Sequence, residues 1–132
     1  MSQKKLKNSS PRVKIIQKIY GYLMNPEEEI IYSKSQYKKF IKDVVSGTIE
    51  RIDLIEETIN STLKADIQLE KTDKILKIIL FAAVFELLFK HNTPKNVVIS
   101  EYVGASEFFL ERAQIKYLNA ILDKMSKLIR KT

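Results

Sequence analysis

The chain has 132 residues, enough for one domain, and a formal net charge of +7 from 23 Lys and Arg against 16 Asp and Glu. It contains no Cys and a single His, which excludes disulfide frameworks, Cys–zinc sites, thiol nucleophiles and multi-histidine metal sites. Only three Gly are present, and neither GxGxxG nor GxxxxGK[ST] occurs. This composition disfavours an enzyme and predicts no metal or other cofactor.

The positive charge is concentrated at the amino end of the chain. Residues 1–24 contain six basic side chains and no acid, and the six are Lys4, Lys5, Lys7, Arg12, Lys14 and Lys18. Such a segment suits a polyanionic partner such as nucleic acid. Since 19 of the 23 basic residues are Lys, a general lysine bias explains the excess equally well.

The first predicted helix begins at Pro11, because Ser10 can cap it and proline at the first helical position loses no needed donor. It ends at Asn25, since the residue before a proline is disfavoured in the α region. A second stripe of apolar residues at helical spacing starts at Tyr37 and continues to about Leu63. We expect a bend or break in it near Gly47.

Residues 73–90 are apolar on nearly every side, which predicts the central helix of the fold. A fifth helix is expected over 97–109 and a last one over 114–131. With no strand predicted, the fold class is all-α, a single domain of about six to seven helices. A basic tail over 1–10 precedes this helical domain over 11–132.

No membrane or export segment is predicted. The longest apolar stretch, 75–89, is shorter than the roughly 20 residues that a spanning helix needs. The basic first 24 residues lack the apolar core of a signal peptide. We therefore expect a cytoplasmic protein without a membrane partner.

Four segments of the chain resemble, in order, the motifs of the NusB family of bacterial transcription antitermination factors. They are PRVKIIQKIY (11–20), FIKDVVSGTIERIDLI (40–55), LFAAVFEL (80–87), and PKNVVISE (94–101) followed by KYLNAILDK (116–124). The resemblance covers roughly residues 11–130. It implies an all-helical RNA-binding domain built from two subdomains packed side by side.

The resemblance also implies partners and a function in transcription regulation. NusB proteins pair with NusE, a small-subunit ribosomal protein, and bind the boxA element of nascent single-stranded RNA. The pair helps RNA polymerase in the elongation complex to read through terminators, notably in rRNA operons. Homologous folds include monomers and dimers, so the resemblance leaves a homodimer open.

The amino-terminal basic residues are the first candidate RNA-binding site. Cations near the start of a helix add to its positive dipole end and attract phosphates without reading sequence. The family places RNA contacts in an arginine-rich amino terminus, which maps to Lys4, Lys5, Lys7 and Arg12. Lysine lacks the planar fork of arginine, so weaker binding is expected. The alternative is a solvated tail.

Further site residues follow from the resemblance. Gln17, Lys116 and Tyr117 are expected to contact RNA, since single-stranded RNA is read by planar groups stacked on splayed bases. Tyr20 and Asp73 are expected at the NusE contact. On pattern alone, the favoured interpretation of Tyr117 is a core residue with its hydroxyl at the surface, and only the resemblance makes an RNA contact an equal alternative.

Glu86 interrupts the most apolar helix, and a buried carboxylate requires a partner. We expect a structural anchor that hydrogen-bonds a neighbouring helix terminus, and no catalytic residue. Glu101, Asn119 and Asp123 are likewise expected to be polar anchors between helices. The family's arginine at the position of Phe81 and its acid at the position of Leu76 are absent, and both differences bear on partner binding. The alternative function is a helical protein-interaction module of NusB-like fold without sequence-specific RNA binding.

Overall fold

The computed structural model describes residues 10–63 and 68–131. These residues contain six α-helices and one 3₁₀ turn, and no strand, so the predicted all-α fold is confirmed. The helices are α1 (Pro11–Met24), α2 (Lys38–Glu50), α3 (Ile52–Leu63), α4 (Lys74–Phe89), α5 (Lys95–Ser106) and α6 (Arg112–Ile129), and the 3₁₀ turn is Leu69–Lys71. The predicted RNA contacts Lys4, Lys5 and Lys7 lie outside the described residues.

The start of α1 is capped as predicted. The Ser10 hydroxyl oxygen accepts the backbone N–H of Arg12, and Pro11 occupies the first helical position. The helix ends at Met24, directly before Asn25 and Pro26. Of the later helices, α5 and α6 each begin two residues before the predicted start. Pro94 and Glu111 occupy their N-cap positions.

The expected break is present, but it lies four residues after Gly47. α2 continues through Gly47 to Glu50, and the chain turns at Arg51, whose N–H bonds the Thr48 carbonyl. Gly47 instead allows α2 to approach α4 closely, since a Cβ there would lie 2.5 Å from Cε1 of Phe85. The glycine therefore serves helix packing and does not end the helix.

The central position of α4 is confirmed. This helix packs against each of the other five α-helices, and most of its residues from Leu76 to Leu87 are buried. α1 packs on α2, α4 and α5, whereas α6 packs on α3, α4 and α5. One continuous hydrophobic core surrounds α4 and fixes the positions of both outer helices.

The carboxyl end of α4 is capped by Arg130, which follows α6. The guanidinium donates hydrogen bonds of 2.9, 3.0 and 2.9 Å to the carbonyls of Leu87, Glu86 and Lys90, and another to Thr93. Carbonyls in the last turn of a helix have no partner within the helix. Arg130 thus ties the end of α6 to the end of α4.

Candidate nucleic-acid interface

Two of the predicted site residues lie together on the solvent side of α1. The opposite side carries Val13, Ile16 and Ile19, all fully buried. Gln17 is exposed, and Tyr20, one turn later, has 38% of its surface exposed. The two side chains are three residues apart on a helix, so they share one accessible face.

Arg12 lies at the start of the same helix, but its side chain points into the protein and is only 11% exposed. Its guanidinium donates two hydrogen bonds to the Glu86 carboxylate, Nε to Oε2 at 3.1 Å and Nη2 to Oε1 at 2.6 Å. It also lies 4.7 Å from the centroid of the Phe40 ring. This is the bidentate, stacked geometry for which arginine is preferred over lysine.

Tyr102 of α5 completes the buried cluster. Its hydroxyl donates a 2.5 Å hydrogen bond to Glu86 Oε2, and the whole residue is inaccessible to solvent. Burial raises the pKa of Tyr102 well above 10.0, and the adjacent Glu86 carboxylate raises it further. Glu101 approaches Arg12 from the surface side, with 3.6 Å between Oε1 and Nη1. Three helices therefore meet at one carboxylate.

This cluster changes the interpretation of two predicted residues. Glu86 is the expected structural anchor, but it bonds two side chains and not a helix terminus. The anchor prediction is wrong for Asn119 and Asp123, because both are exposed and Asp123 pairs with Lys127 within α6. The charge of Arg12 is balanced inside the protein, and its contact with RNA stays a prediction. The sequence signal for the pair was the lone carboxylate in an apolar helix; nothing in the pattern singled out Tyr102 as its second partner.

On α6, Lys116 and Tyr117 are both exposed, and Tyr117 retains 40% of its accessible surface. The alternative in which Tyr117 is a core residue therefore does not hold, because the next residue, Leu118, occupies the core position. Gln17 and Tyr20 stand on α1, and both helices pack on α4 and α5. The predicted site residues on α1 and those on α6 are therefore held by the same two helices, α4 and α5.

Asp73, predicted at the NusE contact, is the N-cap of α4. Its Oδ2 accepts the backbone N–H groups of Ile75 at 3.0 Å and Leu76 at 3.1 Å. A carboxylate at this position satisfies two amides that lack partners within the helix. The residue is exposed, and its role in partner binding stays a prediction.

Within residues 10–63 and 68–131, no three His, Asp or Glu side chains are placed to hold a metal ion. None of the helices there is both long and apolar enough to cross a membrane.

The NusB family model matches residues 3–127 of this chain. A transcription antitermination protein NusB from Sphingopyxis alaskensis is 26% identical, and the alignment covers 99% of each chain. Proteins of the same name from Bartonella henselae and Mesorhizobium japonicum are 34% and 33% identical over 75% and 70% of this chain. Those two alignments span only 62% and 59% of the relatives' own lengths.

A solved structure of T. maritima NusB has a similar fold. It superposes with a TM-score of 0.77 and covers 89% of this chain and 88% of its own, at 21% sequence identity. At this identity the match concerns the arrangement of helices alone.

Proposed function

This chain belongs to the NusB family, and from that premise we propose that it is a transcription antitermination factor. In this function it binds boxA-type single-stranded RNA together with NusE and promotes read-through by RNA polymerase, notably in rRNA operons. The observation that carries the proposal is the family match over residues 3–127, which includes all six helices except the last residues of α6. Relatives named as NusB antitermination proteins support it.

The distribution of charge is consistent with RNA as the ligand. The first 24 residues carry no acid, and Lys14 and Lys18 continue the basic segment along α1. In the proposed complex Lys4, Lys5 and Lys7 bind backbone phosphates, which contributes affinity but no sequence discrimination.

Base recognition is assigned to the exposed planar and amide groups. Tyr117 would stack on an unpaired base, with Lys116 beside it on a phosphate, and Gln17 would hydrogen-bond a base edge. Tyr20 and Asp73 would lie at the NusE contact. Arg12 would act indirectly, by fixing the first turn of α1 against Glu86.

A titration with RNA and NusE tests this function. Fluorescence anisotropy of a labelled boxA RNA should show tighter binding than a scrambled RNA of equal length, and added NusE should tighten it further. Equal affinity for both RNAs, with and without NusE, would instead support the interaction module without sequence-specific RNA binding. The scrambled RNA is the control for non-specific electrostatic binding.

A further inference from the structure

A small cavity opens to solvent between α1 and the beginning of α2. Three lysines line it, Lys14 and Lys18 from α1 and Lys38 from the first turn of α2, and we call it the lysine cavity. Its volume is about 170 Å³, and Ile41 forms part of the wall. Because one water molecule occupies roughly 30 Å³ of liquid, the space admits a group larger than a single water.

The charges around the lysine cavity are not balanced by acids. No carboxylate lines it, and within residues 10–63 and 68–131 none of the three ammonium groups forms an ion pair. Lys18 Nζ lies 6.0 Å from the centroid of the Tyr32 ring, which also lines the cavity. Three cationic side chains that line one small space repel each other, and an anion bound there relieves the repulsion.

Two further features favour a tetrahedral oxyanion over other anions. Ser33 and Ser35 add hydroxyl groups to the cavity wall, so several oxygen atoms of a ligand can receive hydrogen bonds. The amino end of α2 has no acid in its first turn, and the Tyr37 side chain does not cap it, although Ser35 Oγ accepts the Tyr37 N–H at 3.2 Å. Its partial positive charge acts in the same direction as the lysines.

The shape of the cavity indicates a phosphate that belongs to a longer chain. Pockets for free small molecules enclose most of the ligand surface, whereas Ser33, Ser35 and Lys38 are all exposed here. Gln17, a predicted RNA contact, also lines the cavity and connects it to the accessible face of α1. Glu28 and Glu29 line an adjacent cavity that shares Gln17 and Lys18 with this one, and a phosphate there would be repelled by the two carboxylates.

We propose that the lysine cavity binds one phosphate group of an RNA backbone, beside the nucleotides that Gln17 contacts. This rests on the function proposed above and extends the RNA path from the amino terminus along α1 to the start of α2. The cavity would add affinity and fix the orientation of the RNA strand. It would not recognise bases, because contacts to phosphate carry no base information.

The test compares two double variants with the same net charge. Lys14→Gln with Lys18→Gln removes two cations from the lysine cavity. Lys42→Gln with Lys74→Gln removes two exposed lysines that neither line the cavity nor form ion pairs within the described residues. Urea denaturation with equal midpoints for both variants and the wild type establishes that folding is unaffected.

The first measurement uses inorganic phosphate and does not depend on RNA. In NMR titrations against chloride at equal ionic strength, phosphate should shift the backbone amides of residues 14–18 and 38–41 in the wild type. The shifts should persist in the Lys42/Lys74 variant and vanish in the Lys14/Lys18 variant. Shifts that are absent in the wild type, or equal in both variants, would overturn the site.

The second measurement uses boxA RNA with a few added flanking nucleotides. The Lys14/Lys18 variant should bind more weakly, and its log–log salt slope should be less steep by about 0.7, as for one lost phosphate contact on a single strand. Phosphate-induced shifts with unchanged RNA affinity would overturn RNA as the source and indicate a free phosphorylated compound. A wild type that binds no RNA would overturn the proposed function, while the phosphate titration would still decide the site.

Discussion

At the scale of single residues, the Glu86 carboxylate determines how α1, α4 and α5 meet. It is inaccessible to solvent and accepts hydrogen bonds from Arg12 and Tyr102. A buried ion pair adds little net stability over a well-packed apolar pair, but removal of one partner leaves an uncompensated charge in the interior. Substitution of one partner should therefore cost much stability, even though the intact pair adds little to the free energy of unfolding.

Glu86→Ala should lower the free energy of unfolding by about 3–5 kcal/mol, because the buried Arg12 would keep only its 3.6 Å contact with the half-exposed Glu101 carboxylate. Urea denaturation followed by circular dichroism measures the change. The matched control is Asp123→Ala, which breaks an exposed pair with Lys127 within α6 and should cost less than about 1 kcal/mol. Similar small losses in both variants would argue against a buried pair.

Tyr102 should make stability depend on pH in alkaline solution. In the unfolded chain it ionises near 10.0, whereas in the folded protein burial and Glu86 hold its pKa well above that value. The folded state then binds more protons above pH 10, so the free energy of unfolding falls as pH rises. Below pH 10 both states are protonated at this residue, and it adds no slope.

Denaturation midpoints measured from pH 8 to pH 11 check the sign. The wild type should lose stability above about pH 10, and Tyr102→Phe should show a shallower loss from a lower starting stability. Tyr32 is present in both proteins, so its own raised pKa does not affect the comparison. Parallel pH profiles would show that Tyr102 is not the titrating group.

At the scale of helices, the packing of α2 on α4 depends on the missing side chain at Gly47. Gly47→Ala should destabilise the protein by about 1–3 kcal/mol, since the added methyl meets the buried ring of Phe85. Gly104→Ala in α5 is the control, because a Cβ there would meet no other atom within 4 Å beyond the neighbouring backbone of its own helix. It should be neutral or stabilising by up to about 1 kcal/mol. Thermal unfolding of both variants distinguishes them by sign.

Helix positions could be predicted from the sequence where the signal is local. Ser10 and Pro11 define the start of α1, and Asn25 with Pro26 defines its end, through interactions within a few residues. Gly47 was misinterpreted because a glycine in a helical stripe has the same local appearance whether it ends the helix or admits a neighbour. The deciding contact, with Phe85, lies 38 positions along the chain.

At the scale of the whole molecule, we expect RNA affinity to depend on where the basic residues behind the net charge of +7 lie, at the amino end of the chain. Lys4, Lys5 and Lys7 changed together to Ala should weaken boxA binding and reduce the steepness of the log–log salt slope by up to about 2, at about 0.7 per phosphate. Arg12 is left intact, since its removal would disturb the buried pair with Glu86.

The control for this variant removes three exposed lysines elsewhere, Lys42, Lys74 and Lys131, and leaves the same net charge. Anisotropy titrations over a range of salt concentrations measure both slopes. If the two variants bind boxA RNA equally, overall charge and not the amino terminus determines affinity.

The candidate site was less predictable than the fold because its contacts connect distant parts of the chain. The pattern alone favoured a core position for Tyr117, whereas the structure exposes it because the next residue, Leu118, occupies the core. The pairing of Arg12 with Glu86 joins residues 74 positions apart, and the lysine cavity joins two helices across a loop. Neither arrangement can be predicted from the spacing of residues within one helix.

The buried pair also bears on the order of events in folding. Turns of α1 and α4 can form locally, but Arg12 and Glu86 come together only after a loop of some 74 residues closes. A contact of this span is expected to form after the transition state, so its loss should accelerate unfolding and leave the refolding rate nearly unchanged. Stopped-flow measurements on Glu86→Ala should show this combination of rates, which means that the pair slows unfolding of the native state but does not accelerate its formation.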